Sequence, residues 1–504
     1  MLTNAKGKTT VLLWILGFTG PALSVEKKTN VVISGWPLEV GNLGQAVLSE
    51  DPLMGTLVCP SLTRLNLNAL KSEAYLLEKL DDNGEQWTFK LKSGLKWWDK
   101  SAVSGEQLAE FLRLELPVAV EKQGLRTWHL PAMDLTVNGP QVTIHWKSKP
   151  LFGPYVLNNS PFRQKFEGIE SLAFQCAGEL KPEKEASTVH LIAANGLRLD
   201  LQPSSVSNDP PFIDFRFGEE LHPNRSKRQL DEALKCDQAI DTPFITLLAW
   251  NPAGRWTSDP TFRRAMTHLI PRGALLRSGA GSLGDLISGP ILRAHPGYKR
   301  NLLVPAYDLG KAEQLLNKLG YKRSEQDGYR RTPQGELMEL RILVHDFEGS
   351  TLLRKVLDDS LRAIGLKTVF TGKMENNVDA VLASVASSWP DANLSSFLHS
   401  KSVDSPWPWR YQDAALDQAL VTYALSLTRL KPDFTFLEKV HDLVYKLEPF
   451  SILMQHRVCL EAKLGAAEMR KLKIGVKNPD WFAELLDPLV FSVGSTASPD
   501  RQNR

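Results

Sequence analysis

The chain has 504 residues, of which 42% are hydrophobic and 23% are charged. This length exceeds one typical domain, so two or more lobes with a sizeable core are expected. The formal net charge is +3, and it falls to +1 (58 basic and 57 acidic residues) without Lys6 and Lys8 of a predicted leader. So small a positive excess argues against a nucleic-acid binder that depends on phosphate contacts and against a polybasic membrane anchor.

The N-terminus has the three parts of a secretory signal. Lys6 and Lys8 form the basic part, residues 11–18 the apolar part, and residues 22–24 offer small side chains for cleavage. Eight apolar residues are too few to span a bilayer. We therefore expect cleavage after residue 24 and a periplasmic mature chain starting near Val25.

In the first part of the chain, short strands alternate with turns and one helix. Residues 30–34 are apolar enough for a first strand, and Trp87, Phe89 and Leu91 alternate with polar residues as in a half-buried strand. Ser104 and Gln107 form a capping box that opens a helix. Residues 142–146 alternate again, which predicts another strand.

Residues 151–240 show little pattern, and residues 203–211 predict a loop. Beyond residue 242 strands and helices alternate, which indicates an α/β lobe. The predicted strands are 244–251, 338–344, 367–370 and 448–453, and the predicted helices are 262–270, 308–320, 353–364 and 434–447, with another opening at 413–417.

The order of these segments resembles the family-5 extracytoplasmic solute-binding proteins, which serve bacterial ABC importers of oligopeptides, dipeptides and nickel. Trp87-Thr-Phe-Lys-Leu is similar to the family segment W-T-F-x-L, and Phe262-Arg-Arg-Ala is similar to V-R-R-A. Residues 307–321 resemble Y-D-P-x-K-A-K-x-L-L-x-E-A-G-Y. The resemblance covers roughly residues 30–110 and 242–470.

This resemblance implies an α/β protein with the two-lobed periplasmic-binding-protein fold (type II, family 5) and an extra subdomain in lobe one. The implied domains are a signal peptide (1–24), a discontinuous lobe one (25–46, 151–242 and 470–504), its accessory subdomain (47–150) and lobe two (243–469). The chain is expected to cross between the lobes near 238–246 and near 460–474.

The same resemblance implies a carrier and not an enzyme. The expected function is to bind a peptide or similar small solute between the lobes and to deliver it to a membrane permease. We expect a monomer with no cofactor, no metal site and no catalytic residues. The alternative is an exported sensor or scaffold that keeps the fold without a transport role.

The strongest site prediction is the segment Ser388-Trp389-Pro390-Asp391. In peptide-binding relatives it reads A-D-Y-P-D-P, and the Asp before the aromatic residue anchors the ligand's amino terminus. Ser388 stands at that position and cannot neutralise an ammonium group. Asp391 is therefore a candidate substitute, and the alternative is that it caps a turn.

Two further groups of ligand-binding candidates follow from the resemblance. Trp36, Glu39 and Val40 lie in the loop after the first strand, which meets ligand in the family. Trp250 and Asn251 end a strand that is expected near the hinge and cleft. Core packing for Trp250, a turn hydrogen bond for Asn251 and a solvated charge for Glu39 are the alternatives.

Trp407, Trp409 and Arg410 complete the candidates, because aromatic walls and a guanidinium suit the acidic end of a ligand. A packed surface loop is the alternative.

The four cysteines, Cys59, Cys176, Cys236 and Cys459, allow three complete pairings in an oxidising compartment. The sequence does not choose among these pairings, and buried free thiols are equally compatible with it.

Overall fold

The structure is a computed structural model. It describes residues 30–34, 58–122, 130–158, 160–169, 172–177, 180–185, 188–193, 198–202, 213–217, 238–277, 284–345, 350–373, 377–387, 391–402 and 405–462.

The described strands of the first half are β1 (Asn30–Ser34), β2 (Thr63–Asn66), β3 (Lys71–Ala74), β4 (Leu77–Asp82), β5 (Gln86–Leu91), β6 (Met133–Asn138), β7 (Gln141–Trp146), β8 (Arg163–Ile169), β9 (Leu172–Cys176), β10 (Leu180–Glu185), β11 (Thr188–Ala193), β12 (Arg198–Gln202) and β13 (Ile213–Phe217). Those of the second half are β14 (Gln238–Trp250), β15 (Lys322–Arg323), β16 (Arg330–Arg331), β17 (Glu339–Val344), β18 (Lys367–Thr371), β19 (Ala380–Ala386) and β20 (Phe450–Ala462).

The described α-helices are α1 (Gly105–Lys122), α2 (Pro260–His268), α3 (Arg272–Arg277), α4 (Leu309–Lys318), α5 (Ser350–Ala363), α6 (Ser395–Leu398), α7 (Ala414–Leu427) and α8 (Thr435–Leu447). A short 3-10 helix spans Pro154–Leu157. None of the described helices combines the length and apolarity that crossing a membrane requires.

A ten-stranded mixed sheet connects the two lobes. Its order is β10-β11-β12-β1-β13-β20-β14-β19-β17-β18. The strands from β10 to β13 in this order lie in the ranges predicted for lobe one, and those from β19 to β18 lie in the range predicted for lobe two. The predicted fold class, an α/β protein with the two-lobed periplasmic-binding-protein fold, is thus confirmed.

In the accessory subdomain an antiparallel sheet of order β4-β5-β7-β6 lies against α1. The alternation in β5 is confirmed, because Trp87 and Phe89 are fully buried. The capping box is confirmed as well. The Ser104 N–H donates to Gln107 Oε1 at 2.9 Å, and the Gln107 N–H donates to Ser104 Oγ at 3.3 Å. The hydrophobic core of the accessory subdomain also includes side chains from residues 152–177.

Several helix ends in lobe two carry residue types that favour helix caps. The Asp259 side chain accepts from the Thr261 N–H at 2.6 Å, with Pro260 at the first helical position. Asp308 accepts from the Lys311 N–H at 2.8 Å. Gly320, just beyond α4, has φ +81°, which glycine adopts at little cost. These local signals place the helix ends within a few residues of the prediction.

The turn between β5 and α1 has a structural cost at Lys100, which adopts φ 70°, in the left-handed region. A side chain there is strained because its Cβ approaches the following carbonyl. Glycine would adopt the same backbone conformation at lower cost.

One pair of cysteines is joined: Cys59 and Cys176 form a disulfide, and both are buried. It connects the start of the accessory subdomain to the end of β9. Cys236 lies outside the described residues, and the Cys459 side chain does as well.

Candidate functional site

The two long strands β14 and β20 pass between the lobes and are paired with each other. Towards lobe one, Val458–Ala462 of β20 pair with β13. Towards lobe two, Phe244–Trp250 of β14 pair with β19. The two strands together therefore pair with strands of both predicted lobes, and the segment between these pairings is a candidate hinge.

The pairing of β14 with β20 is irregular in this segment. The register shifts between Asp241 and Ile245. A bulge of this kind bends a strand and weakens regular pairing locally. The hinge cluster is the set of polar residues around it: Asp241, Thr242, Thr246, Gln455, His456 and Arg457.

Two side-chain pairs of the hinge cluster connect β14 to β20. Arg457 Nε donates to Asp241 Oδ1 at 2.6 Å. Burial opposes the charge of Arg457, but the hydrogen bond and charge of Asp241 outweigh it, and the pKa of Arg457 is raised. The His456 Nε2 atom lies 2.6 Å from Thr246 Oγ1. Burial lowers the pKa of His456 to about 4, so this imidazole is neutral near pH 7.

Gln455 and Thr246 of the hinge cluster are both fully buried, with 0% of their surface exposed. Gln455 is an amide. Its Nε2 donates to the Thr242 carbonyl at 3.4 Å, while its Oε1 accepts from no donor among the described residues. A buried acceptor without a donor costs free energy.

Asp391 follows strand β19 in the chain. Ala386, the last residue of β19, pairs with Phe244, next to the hinge cluster. Asp391 is 8% exposed, and its Oδ1 accepts from the Asn393 N–H at 3.1 Å, which forms a local turn. The Tyr423 hydroxyl donates to the Asp391 carbonyl. Asp391 is thus held against α7.

Ser388 and Trp389 lie outside the described residues, and so do Trp36, Glu39 and Val40. Their roles stay predictions. The strand that precedes the latter three is described: β1 runs parallel to β13, with Ser34 opposite Asp214. Since Phe217 of β13 pairs with Val458, the carboxyl end of β1 points towards the crossing between the lobes.

Trp250 and Asn251 lie at the opposite end of β14 from the hinge. Trp250 pairs with Ala380, six residues along the strand from Phe244. It is 1% exposed, and its Nε1 donates to Ser451 Oγ at 2.8 Å. Asn251 donates to the Val378 carbonyl at 2.9 Å and accepts from the Ala253 N–H at 3.0 Å. These contacts are those of a core residue and a turn residue.

The segment with Trp407 and Arg410 is also a packed one. Trp407 is 2% exposed and its ring lies 5.7 Å from that of Phe450, in the core of lobe two. Trp409 is 9% exposed and belongs to the same core. Arg410 donates to the carbonyls of Trp407 and Trp409, at 3.1 Å and 2.9 Å. This guanidinium organises its own loop, which agrees with the alternative interpretation of the segment.

Sequence reasoning did not find the hinge cluster. The residues that contact each other in this cluster are separated by more than 200 positions in the chain (216 between Asp241 and Arg457), so no local sequence pattern predicts their contact. Within the part of the chain that the structure describes, no group of three or more His, Cys, Asp or Glu side chains could hold a metal ion.

Residues 217–420 match the family described as bacterial extracellular solute-binding proteins, family 5 middle. The predicted resemblance to the family-5 solute-binding proteins is confirmed. No curated protein matches the chain by sequence.

Solved structures with the family-5 fold are similar over most of the chain. NikZ from Campylobacter jejuni in complex with Ni(L-His) has a TM-score of 0.66 at 18% identity, covering 87% of this chain and 94% of NikZ. NikA from Brucella suis in complex with Fe(III)-EDTA has a TM-score of 0.66 at 16% identity, with coverage of 87% and 97%. AppA from Bacillus subtilis in complex with a nonapeptide has a TM-score of 0.58 at 14% identity, with coverage of 86% and 94%. At these identities the likeness establishes the fold alone.

Proposed function

We propose that this protein is the periplasmic substrate-binding component of an ABC importer. It holds a peptide or similar small solute between its lobes and presents it to a membrane permease. It performs no covalent chemistry. The observation that carries the proposal is the pair of strands β14 and β20, which are shared by both lobes and irregular where they cross.

A hinge built in this way suits reversible clamping. Ligand shifts an open–closed equilibrium only by its preference for the closed form. Closing the lobes expels water and strengthens polar contacts to the solute. The Asp241–Arg457 pair and the neutral His456 keep the two strands aligned while the lobes move.

The solute class follows from the segment around Asp391. Similar structures hold nickel with histidine, an iron–EDTA complex or a nonapeptide. Ser388 replaces the carboxylate that anchors a free amino terminus in peptide-binding relatives. The proposed solute is therefore a peptide or similar small solute that does not depend on a free amino terminus at the Ser388 position, and Asp391 replaces the missing anchor if the solute carries a positive charge.

The proposal includes export and the domain boundaries inferred from the sequence. A leader of residues 1–24 is removed, and the mature protein is monomeric, with lobe two running from residue 243 into β20, whose residues Val458–Ala462 already pair with β13 of lobe one. The Cys59–Cys176 disulfide supports an oxidising compartment, where such bonds persist.

The test begins with protein exported by a bacterial host and purified without unfolding. Native mass spectrometry then detects any bound solute, and thermal shift screens peptides, nickel–histidine and chelated iron. A true solute raises the melting temperature in proportion to the logarithm of its concentration above Kd. Asp391→Asn is expected to weaken binding of a cationic solute by about tenfold or more. Asp134→Asn, on the exposed strand β6, is the matched control.

The second candidate is the exported sensor or scaffold. The observation that favours it is Ser388 at the anchor position. It would be preferred if the purified protein carries no solute and if no member of the panel changes its melting temperature.

A further inference from the structure

A small cavity in lobe two shares no residue with the hinge cluster. Its walls come from helices α2, α3 and α8, from the start of β20, and from residues 287–289, Pro305 and Glu448. The cavity offers about 20 Å³ to the centre of a water-sized atom. One water molecule needs about 10 to 15 Å³ by this measure, so the cavity is large enough to hold one.

Glu448 lines the cavity with a carboxylate of which one oxygen lacks a donor. The residue is 8% exposed and follows α8 with φ 47°, in the left-handed region. Its Oε1 accepts from Arg264 Nε at 3.0 Å, whereas its Oε2 is buried and has no hydrogen-bond donor among the described residues. A buried carboxylate oxygen without a donor is costly, so a donor inside the cavity would stabilise lobe two.

Arg272 is a buried cation in the same cavity wall, with 4% of its surface exposed. Its Nε donates to the Ile452 carbonyl at 2.7 Å, and its Nη1 donates to the carbonyls of Thr267 and Pro305, each at 3.1 Å. None of these bonds uses Nη2. Burial lowers the pKa of Arg272 to about 10, against the opposing effect of the Glu448 charge, so the guanidinium stays charged near pH 7. Its Nη2 is therefore a charged donor that needs an acceptor.

The Ser288 hydroxyl is a third polar group of the wall, and its hydrogen bonds can be assigned. His441 is neutral near pH 7, because burial lowers its pKa to about 4, and its Nδ1 accepts from the Lys299 N–H at 3.1 Å. The imidazole proton is therefore on Nε2, which lies 3.4 Å from Ser288 Oγ and donates to it. The Tyr298 hydroxyl, 2.9 Å from Ser288 Oγ, has no other acceptor among the described residues and also donates to it. Ser288 Oγ thus accepts twice, and its own hydrogen needs an acceptor in the cavity.

We propose that a structural water molecule occupies this cavity and connects Glu448, Arg272 and Ser288. The water accepts from Arg272 Nη2 and from the Ser288 hydroxyl, and it donates to Glu448 Oε2. Three hydrogen bonds are the usual number for a buried water. A cation is a poorer occupant, because Arg264 and Arg272 already neutralise Glu448, and an apolar molecule would leave three polar groups unpaired.

The water connects three separate parts of lobe two: the left-handed turn after α8, the first residue of α3 and the Ser288 loop. Strand β20 begins two residues after Glu448, so the water helps to fix the lobe-two end of a strand that continues into lobe one. The inference goes beyond solute binding, since none of the candidate ligand-binding residues lines this cavity.

A crystal structure of the mature protein, with no solute added, tests the assignment directly. The expected result is density for a water oxygen about 2.7 to 3.2 Å from Glu448 Oε2, Arg272 Nη2 and Ser288 Oγ. A direct ion pair between Arg272 and Glu448, or a cavity without density, would overturn the proposal.

Filling the cavity distinguishes a hydrated site from a dry one in solution. Val444 is 3% exposed and lines the cavity, so Val444→Ile adds a methyl group there. We expect a lower urea denaturation midpoint, because displacing the water leaves three buried polar groups unpaired. Filling a dry cavity would instead remove a void and stabilise the protein. A midpoint that is unchanged or raised therefore contradicts the proposal.

Two further variants complete the test. Val118→Ile, at a position of α1 that is 39% exposed, is the matched control and should leave the midpoint unchanged. Glu448→Gln keeps the shape of the side chain but replaces one acceptor oxygen by a donor, so the crystal structure of this variant should lack the water. A water that stays in place would show that Glu448 is not its acceptor. Because no solute is used in these measurements, their failure leaves the solute-binding proposal standing.

Discussion

Arg263 offers the sharpest test of how lobe two is stabilised. It is 5% exposed, and its guanidinium donates to four backbone carbonyls. Those of Thr257 and Ser258 lie 2.7 Å and 3.0 Å from Nη1. Those of Leu447 and Glu448 lie at the C-terminal end of α8, the former 2.6 Å from Nη2 and the latter 3.1 Å from Nε. The residue thereby fastens α8 and the loop before α2 to each other.

The change Arg263→Met removes all these donors while keeping much of the apolar stem. Each buried carbonyl left without a donor costs about 1 kcal/mol or more, so the four together cost about 4 kcal/mol. Burial lowers the pKa of Arg263, which shows that its charge is desolvated, and removing that charge returns part of the cost. We expect a net loss of about 3 kcal/mol in the free energy of unfolding.

Guanidinium unfolding followed by tryptophan fluorescence measures this loss. The matched control is Arg362→Met, since the Arg362 side chain is 66% exposed and pairs with Asp358 at 2.7 Å on one helix surface. An exposed pair of this kind contributes about 0.5 kcal/mol or less. The reasoning is refuted if Arg263→Met costs less than about 1 kcal/mol more than the control.

The remaining predictions also concern stability. Burial raises the pKa of Asp379 to about 6, so the stability that its protonated carboxyl contributes is present below pH 3.8 and is lost as pH rises to 6. Asp379→Asn should therefore increase the free energy of unfolding by up to about 3 kcal/mol at pH 8 in urea melts. At pH 3.5 the same change should have no effect. Burial lowers the pKa of His441 to about 4, so the protein should lose up to about 3 kcal/mol as pH falls from 6.5 to 4, and His441→Gln should show a shallower loss. Lys100→Gly should raise stability by up to about 1 kcal/mol, seen as a higher denaturation midpoint, because it relieves a left-handed backbone. Cys59→Ser should cost about 4 kcal/mol, because its bond to Cys176 closes a loop of 117 residues, and dithiothreitol should then have no further effect.

Elements with local signals were predictable from the sequence. The capping box at Ser104 and Gln107 and the Asp–Pro start of α2 are formed by residues adjacent in the chain, so their geometry is set by the backbone alone. The alternation in β5 is equally local. The family resemblance rests on an ordered series of such segments, which is why the fold class could be recognised.

The candidate site was less predictable. Trp250 was expected near the hinge and cleft, yet it pairs with Ala380 at the end of the β14–β19 pair that is farthest from the hinge cluster. Its distance from the hinge depends on strand register, and register is decided by pairing partners elsewhere in the chain. The same is true of β14 and β20, which are longer than predicted because Gln238–Asp241 pair with Arg457–Leu460 and Val458–Ala462 pair with β13.

By itself, the sequence determined the α/β class, the ends of most helices in lobe two and the family to which the fold is similar. Only the tertiary structure decided which cysteines join, which polar side chains meet at the hinge, and that Arg272 and Glu448 line one cavity. The physical reason is distance along the chain. Caps and alternation depend on neighbours a few residues away, whereas these contacts join residues more than one hundred positions apart, and only the packed chain brings them together.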